Sequence, residues 1–343
     1  MIRNQWYAVM DSSQVKKNPV GVTRMGENLV FWRDASGKVS CLYDKCIHRG
    51  VELSKGQVIH GCLQCPFHGL EYDASGRVTV IPANGKNSPV AERFNVRSYP
   101  TYEAHGFIWI WWGDRPPADI KPPHFFDDID EVFSYGTVYD PWNTHYSRAV
   151  ENQLDVAHLP FVHHNTIGRG GLTLVDGPGF QWVDDDMFYV YFYNRLDDGT
   201  PPRKPDEVPV PDPDNTFKLE FIFPNLWQNH ISDDLRIVAA FVPVDDENTI
   251  LYLRFYQKFM RLPLLRYLFN RLATPSNLII AHQDRRVVVT QQPKASGLRI
   301  GEELIQADMP IVEYRKKRDQ LKPQNNTQKT ERRQWEVRDA PSP

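Results

Sequence analysis

Two short runs that pair cysteine with histidine constrain this chain more than any other feature. Cys46-Ile47-His48 is followed, after sixteen residues, by Cys65-Pro66-Phe67-His68. Thiolates and imidazoles suit zinc or an iron–sulfur cluster, so the two runs can close on one metal centre. Structural zinc sites usually pair Cys with Cys and His with His, whereas each run here mixes the two. Ligand chemistry alone therefore leaves both metals open.

The sequence around these runs separates the two possibilities. Glycine follows within two residues of each histidine and lets a loop turn tightly beside a cluster. The pattern C-x-H-R-G…C-P-F-H-G-L-x-Y-D resembles the Rieske [2Fe–2S] family. The resemblance implies that Cys46 and Cys65 hold one iron and that His48 and His68 hold the other.

The remaining two cysteines, Cys41 and Cys62, lie outside this pattern. Respiratory Rieske proteins have an additional cysteine in each cluster loop, and these two bridge the loops. The corresponding positions here are Val51 and Phe67, so the resemblance points to the oxygenase branch. We expect Cys41 and Cys62 to be buried apolar residues. Four cysteines are too few for a disulfide-stapled scaffold of this size, which predicts a reducing, cytoplasmic location.

A second group of potential ligands lies in residues 151–166, ENQLDVAHLPFVHHNT. A spacing of three places Asp155 and His158 on one face of a helix predicted over 148–158. Pro160 disfavours helical geometry at the residue before it, so the helix is expected to end there.

The pattern N-x-x-D-x-x-H-x-x-x-x-H in this segment resembles the iron-binding helix of Rieske non-haem oxygenases. By that resemblance, His158 and His163 are two arms of a 2-His-1-carboxylate triad, which leaves iron positions open for O2 and water. The family spacing selects His163, with His164 as the alternative. Asn152 and Asp155 would act beside the metal without binding it.

The third arm should be a carboxylate on a later helix, predicted over 276–292. The segment AHQDRRVVVTQQ resembles the family stretch in which an aspartate opens a Val-rich helix, and this implies Asp284. The alternative for Asp284 is an ion pair with one of the arginines that follow it. Glu302 and Asp308 are more distant alternative ligands.

The resemblance also implies a route for electrons. Asp155 would hydrogen-bond His158 and reach a cluster-ligand histidine, His68, of a neighbouring subunit, linking the two redox centres. This arrangement implies a homotrimer, assembled head to tail as a closed ring. Since no Rossmann-type glycine motif or P-loop is present, NAD(P)H would be oxidised only by a separate reductase, with or without a ferredoxin.

Periodicity and turn signals predict an α+β chain of two domains. Residues 1–117 hold short apolar runs between turns, as in an all-β domain, and the resemblance makes this the Rieske domain. Residues 118–322 are expected to form the catalytic domain, a helix-grip-like antiparallel sheet with helices. Residues 323–343 are predicted to be a disordered tail. The strands and the further helix predicted for the catalytic domain are 187–193, 217–223, 236–242, 250–258 and 263–273.

Composition, charge and the length of the apolar runs argue against several other classes of protein. Apolar residues make up 41% and charged residues 24%, as in ordinary globular proteins. The formal net charge of −3 gives the whole protein no strong attraction to nucleic acid. No apolar run is long enough to span a membrane. Residues 259–272 mix bulky apolar side chains with arginines; packing on the core or at a subunit contact is the main expectation, and membrane contact is unlikely.

The two motifs together predict a terminal oxygenase component. It would use O2 and external electrons to hydroxylate or oxidatively demethylate an apolar or aromatic small molecule. Cis-dihydroxylation is the alternative within the family, and a Rieske-type electron-transfer protein is the alternative of another class. Residues 201–213 are expected to be a surface loop or a lid. Aromatic residues that could line the pocket, or equally form sheet core, are Phe188, Tyr191, Phe221, Phe223, Trp227, Phe241, Tyr252 and Tyr256.

Overall fold

The computed structural model describes residues 1–114, 120–210, 218–273 and 276–322. The strands are β1 (Gln5–Asp11), β2 (Val20–Arg24), β3 (Glu27–Arg33), β4 (Val39–Tyr43), β5 (Gln57–Ile59), β6 (Cys62–Gln64), β7 (Glu71–Tyr72), β8 (Val78–Val80), β9 (Ser98–Tyr99), β10 (Thr101–Ala104), β11 (Phe107–Trp112), β12 (Ser134–Trp142), β13 (Leu174–Trp182), β14 (Met187–Arg195), β15 (Lys218–Ile222), β16 (Leu226–Ser232), β17 (Leu235–Pro243) and β18 (Thr249–Gln257). The helices are α1 (Tyr146–Leu154), α2 (Leu159–Val162), α3 (Pro263–Ala273), α4 (Ser276–Val288) and α5 (Met309–Gln320).

The N-terminal domain consists of three small antiparallel sheets. Their strand orders are β1-β11-β10, β2-β3-β4-β9 and β5-β6-β7-β8. Every residue of β11, FIWIWW, is buried, because this strand is covered on both faces. The third sheet holds the loop between β6 and β7, which contains Cys65 and His68, and the loop with Cys46 and His48 precedes β5.

The C-terminal domain is built on one seven-stranded antiparallel sheet. Its order is β12-β18-β17-β16-β15-β14-β13, so six consecutive strands form a meander and β12 pairs with the last of them. Helices α1, α4 and α5 contact one another or the sheet. This architecture confirms the predicted α+β class, with an all-β domain followed by an antiparallel sheet with helices.

The large sheet lies between the N-terminal domain and the helices. On one face, Val238, Ala240 and Tyr252 belong to the same apolar cluster as residues of β1 and β11. On the other face, Phe221 and Phe241 pack in a separate cluster that includes residues of α1, α4 and α5. The two faces of the sheet therefore have different partners.

Two predicted helices have different ends in the structure. The helix predicted over 148–158 ends at Leu154, and Asp155 is extended with φ −74° and ψ 121°. Pro160 does not end that helix; it lies in the first turn of α2, where a missing N–H is tolerated. The helix predicted over 276–292 ends earlier, at Val288.

The strands predicted for the C-terminal domain are confirmed within a residue or two, although Phe217 lies outside the described residues. The predicted boundary at 117 and the predicted tail 323–343 also lie outside them. Helix α3 matches its predicted range, but it exposes apolar side chains such as Leu264, 71% exposed. No helix in the described ranges has the length and apolar character to cross a membrane.

Candidate metal centres and substrate cavity

The two Cys–His loops have the same backbone geometry. In the first, the Cys46 N–H donates to Val51 O at 2.8 Å, and Cys46 O accepts from the Gly50 N–H at 2.9 Å. The second loop repeats both bonds around Cys65, at 2.8 and 3.1 Å. Gly50 and its counterpart in the second loop both have φ of +73°, a conformation that favours glycine.

These loops bring two sulfurs and two imidazoles together at one tip of the N-terminal domain. Cys46 and Cys65 are each 2% exposed, whereas the His48 and His68 rings are exposed, with centroids 4.6 Å apart. The Tyr72 hydroxyl donates to the Cys46 sulfur at 3.1 Å. Two buried thiols beside two neighbouring imidazoles suit a [2Fe–2S] cluster with mixed ligation.

The two other cysteines differ from each other. Cys41 is 1% exposed, and burial raises the pKa of its thiol well above the ordinary value. Cys62 is only half-buried, so the expectation of a buried residue is wrong there. Its position near the end of a hairpin strand leaves one side of the chain accessible to solvent.

A second cluster of ligand atoms forms where α2 faces α4. The Nε2 atoms of His163 and His158 lie 2.9 and 3.5 Å from Asp284 Oδ1. His163 and Asp284 are almost fully buried, and Asp284 Oδ1 has no hydrogen-bond donor in the described part of the chain. Two imidazoles and a carboxylate at one point suit a divalent iron with positions left open.

Gln283, which sequence reasoning missed, positions one of these imidazoles. Its Oε1 lies 2.8 Å from His163 Nδ1, and it also accepts from the Thr166 hydroxyl at 2.8 Å. Since Gln283 Oε1 can only accept, it favours the tautomer with the proton on Nδ1 and leaves Nε2 free for a metal. The Gln283 amide in turn donates to Asn165 Oδ1 at 2.9 Å.

The alternative ligands lie elsewhere. His164 is exposed, and its Nδ1 contacts Phe161 O at 3.1 Å. Glu302 pairs with Arg148 and Arg315, at 2.8 and 2.7 Å. Asp308 accepts from the Ile305 N–H near the start of α5. The residue after Asp284, an arginine, pairs with Asp140 instead of Asp284.

Asp155 lies beside the histidine pair, but the hydrogen bond to His158 expected from the sequence is not formed. Its Oδ2 is 3.8 Å from His158 Nδ1, longer than a hydrogen bond, and its Oδ1 accepts from the Ala157 N–H at 2.8 Å. Burial would raise the pKa of Asp155, but His158 and the backbone donors outweigh it and hold the pKa below the ordinary value. The carboxylate is 29% exposed, so it stays accessible from outside.

The last turn of α1 brings Gln153, and not the expected Asn152, against Asp284. The adjacent Gln153 lines the cavity beside the histidine pair, and its Nε2 lies 3.4 Å from Asp284 Oδ2. Asn152 is absent from that lining, and its Nδ2 has no hydrogen-bond partner in the described residues. Because α1 ends at Leu154, its last turn presents Gln153 rather than Asn152 to the metal ligands.

A cavity of about 610 Å³ opens next to His158, His163 and Asp284. Its walls come from α2, α4 and the helix-side face of the sheet, and they are mostly apolar. Of the eight aromatic residues considered from the sequence, only Trp227 lines it. The described part of loop 201–213, residues 201–210, contributes nothing to the lining, so it does not cover the cavity as a lid.

Comparison with known protein families shows which family has this pair of domains. Residues 5–100 match the Rieske [2Fe-2S] domain, and residues 142–323 match the vanillate O-demethylase oxygenase C-terminal domain. The second match alone covers more than half of the chain. The chain belongs to the Rieske non-haem iron oxygenases. For a Rieske oxygenase, membership implies a [2Fe–2S] cluster, a mononuclear iron and O2 as co-substrate.

Several curated Rieske oxygenases resemble part of the chain. The oxygenase component of dicamba O-demethylase from Stenotrophomonas maltophilia is 35% identical over 163 residues, 47% of this chain and 48% of the relative. The vanillate O-demethylase oxygenase subunit of a Pseudomonas species is 32% identical over 168 residues, 49% of this chain and 46% of the relative. The chain thus spans about half the length of these curated relatives.

Solved Rieske oxygenase structures share the fold over nearly the whole chain. NdmA of Pseudomonas putida CBB5 superposes with a TM-score of 0.73 at 22% identity, over 92% of this chain and 88% of NdmA. Dicamba monooxygenase bound to dicamba gives a TM-score of 0.72 at 20% identity, over 94% and 97% of the two chains. Both domains therefore share the fold of these solved structures.

Proposed function

We propose that this chain is the terminal oxygenase component of a multicomponent Rieske oxygenase. It would use O2 and externally supplied electrons to hydroxylate or oxidatively demethylate an apolar or aromatic small molecule. The convergence of His158, His163 and Asp284 on one point beside a large apolar cavity is the observation on which this proposal rests. Relatives described as O-demethylase and monooxygenase support insertion of a single oxygen atom.

The residues divide the work between two metal centres. When bound, the cluster supplies single electrons and the mononuclear iron supplies the chemistry of O2. His158, His163 and Asp284 would hold the iron from one side and leave its other side toward the cavity. Gln283 keeps the His163 imidazole in the tautomer that binds metal. The apolar walls hold the substrate and exclude water.

Asp155 would connect the two centres. In this proposal its carboxylate orients His158 and accepts a hydrogen bond from His68 of a neighbouring subunit. Its partial exposure supports this role, because a fully enclosed carboxylate could not contact another chain. Electrons would then pass from His68 through Asp155 to His158.

The fold supports transfer between subunits rather than within one. In a single chain, the N-terminal domain packs on one face of the large sheet and the iron ligands lie on the other. The His48 and His68 rings are exposed beside the apolar side chains of Ile47 and Phe67, 46% and 54% exposed. Such a tip suits docking against another protein surface. We therefore propose the head-to-tail homotrimer.

The proposal also requires partners that this chain does not supply. Electrons would come from NAD(P)H through a separate reductase, with or without a ferredoxin, because the sequence has no nucleotide-binding motif. A cytoplasmic location and the lack of nucleic-acid and membrane partners stay predictions.

Metal analysis with electron paramagnetic resonance tests the proposal. We expect anaerobically purified protein to contain about three irons and two sulfides per chain, with a Rieske-type signal after dithionite reduction. Asp284→Ala should lower the iron content to about two and keep the signal, because only the mononuclear site loses a ligand. Full iron content and activity in that variant would contradict the assignment of Asp284. A colourless protein containing zinc would contradict the whole proposal.

A further inference from the structure

On the sheet side of the cavity, an amide lies between apolar residues of the two neighbouring strands. Asn229 lies in the middle of β16, and its register partners on the two neighbouring strands are Leu219 and Ile237. All three residues line the cavity. The Asn229 Oδ1 atom is buried and has no hydrogen-bond partner in the described part of the chain. A buried polar atom of this kind is unfavourable unless a ligand pairs with it.

Other side chains of the lining carry polar atoms of the same kind. Asn194 Oδ1, Asn277 Nδ2 and the Trp227 indole N–H are also buried without a partner in the described residues. Together with Asn229 they give two acceptors and two donors. All four side chains line the one cavity. The set therefore matches a ligand that both donates and accepts hydrogen bonds.

Charge is confined to two places in the lining. Asp155 and Asp284 lie at the metal ligands, and Arg169 is exposed. The Arg169 guanidinium already donates to Asn165 O at 3.0 and 2.7 Å. The described sheet-side lining holds no cation. An anion placed against the sheet would lose its hydration without gaining a counter-charge from the protein there.

The size and the entrance of the cavity agree with an uncharged molecule of some bulk. A volume of 610 Å³ is in the range that encloses drug-sized ligands. Ile167 and Leu172, which also line the cavity, are 61% and 40% exposed. These residues give an apolar approach to the cavity.

We propose that the substrate of this site is an uncharged molecule of multi-ring size that bears a carbonyl or amide group, recognised by Asn229 together with the other unpaired polar side chains of the lining. This inference rests on the proposed function, because it assumes that the cavity beside the iron ligands is the substrate site. It narrows the class of substrate from any apolar or aromatic molecule to a neutral one with hydrogen-bonding groups.

Two matched probes test it on the iron-loaded protein under nitrogen. One is a methoxynaphthalene carboxamide and the other is the corresponding carboxylate, which has the same shape and carries a negative charge. Isothermal titration calorimetry should give a Kd for the carboxamide about tenfold lower than for the carboxylate. Asn229→Leu should weaken carboxamide binding by about tenfold. It should leave unchanged the binding of methoxynaphthalene that lacks the carboxamide group. Asn143→Leu, at an exposed amide remote from the cavity, is the control.

Other results would overturn the inference. Equal or tighter binding of the carboxylate, lost in Arg169→Gln, would show an anion site at Arg169. Failure of both probes to bind would show that the cavity does not accept such molecules. An unchanged carboxamide Kd in Asn229→Leu would remove Asn229 from recognition. The binding assay needs no turnover, so iron content and the Rieske signal report separately on the proposed function.

Discussion

The tautomer of a single histidine should affect how tightly the proposed triad binds iron. Gln283 Oε1 accepts from His163 Nδ1 and thereby directs Nε2 toward Asp284. Loss of such a hydrogen bond to a metal-binding histidine typically lowers metal affinity by roughly 10–100-fold. Gln283→Leu should therefore lower Fe(II) affinity by about tenfold or more, measured by anaerobic titration with a chelator. Gln283→Glu, which keeps an acceptor, should retain most of the affinity; equal losses in both variants would contradict the tautomer role.

Asp155 offers a second test at the residue scale. Asp155→Asn keeps the shape of the side chain and removes its charge. If Asp155 links the centres, this variant should retain about three irons per chain and the Rieske signal. Its cluster should stay reduced in a single turnover with O2, because electrons no longer reach the mononuclear site. Product formation at the wild-type rate in a stopped-flow experiment would contradict the linking role.

Residue spacing predicted candidate ligands but not the side chains that contact them. The motifs predicted Cys46, His48, Cys65 and His68 as one set of metal ligands and His158, His163 and Asp284 as a second set. The structure brings the second set to one point. Gln153 and Gln283 were missed, although each is adjacent to a named residue. Which atoms an amide side chain contacts depends on where its helix ends. No sequence motif indicated that α1 ends at Leu154.

At the scale of elements, the strands that escaped prediction contain residues that break the usual pattern. β12 and β13 contain glycine and proline, which indicate turns, yet Pro141 is tolerated because β12 is an edge strand. β16 has the polar run QNH in a central position. Its Gln228 faces a buried polar group with Glu220 and Asp128, and its Asn229 lines the cavity. Polar contacts on both faces of that strand explain why it lacks apolar alternation.

The start of helix α1 depends on a buried, neutral histidine. His145 Nδ1 accepts from the Ser147 N–H at 3.2 Å and caps the helix. Burial, reinforced by the positive charge of Arg318, lowers the pKa of His145 to about 3, against 6.5 ordinarily. Below pH 6.5 the unfolded chain therefore takes up a proton at this histidine, whereas the folded protein does not. The contribution of neutral His145 to the free energy of unfolding is complete above pH 6.5 and is lost as the pH falls toward 3.

Replacing that histidine should make the free energy of unfolding depend less on pH in the acid range. Between pH 7 and pH 5 this one group should account for a loss of about 2 kcal/mol. Asn is a good N-cap and does not titrate, so His145→Asn should lose less stability over that interval. Thermal unfolding at the two pH values measures the difference. His60→Asn, at an exposed histidine, is the control and should behave as the wild type does.

At the scale of the whole molecule, one buried arginine joins the two domains. Arg254 on β18 is fully buried and lies 2.8 Å from Asp11 Oδ2 of the N-terminal domain. It also donates to Gly106 O at 2.6 Å, and its guanidinium carbon lies 3.4 Å from the centroid of the Phe107 ring. Since the apolar cluster between the domains is continuous, we expect the domains to unfold together.

Removal of that arginine should destabilise both domains at once. Arg254→Met removes the counter-charge of the buried Asp11 carboxylate and should cost about 3–5 kcal/mol. Urea unfolding followed by cluster absorbance and by far-UV circular dichroism should show both midpoints shifting together. Arg271→Met, at an exposed arginine, should change little. A shift of the cluster absorbance alone would show that the domains are independent.

The position of the large sheet between the N-terminal domain and the iron ligands predicts that neighbouring chains complement each other. A chain with Cys46→Ala should lack the cluster and keep the mononuclear site, and a chain with Asp284→Ala should do the reverse. Neither should turn over alone, because each lacks one centre. Mixed oligomers, formed by co-expression and purified through two tags, should recover part of the wild-type O2-dependent turnover, since the cluster of one chain then serves the iron of the next. Mixed oligomers in which each chain holds its remaining metal centre but no turnover occurs would show that electrons pass within one chain, through the sheet.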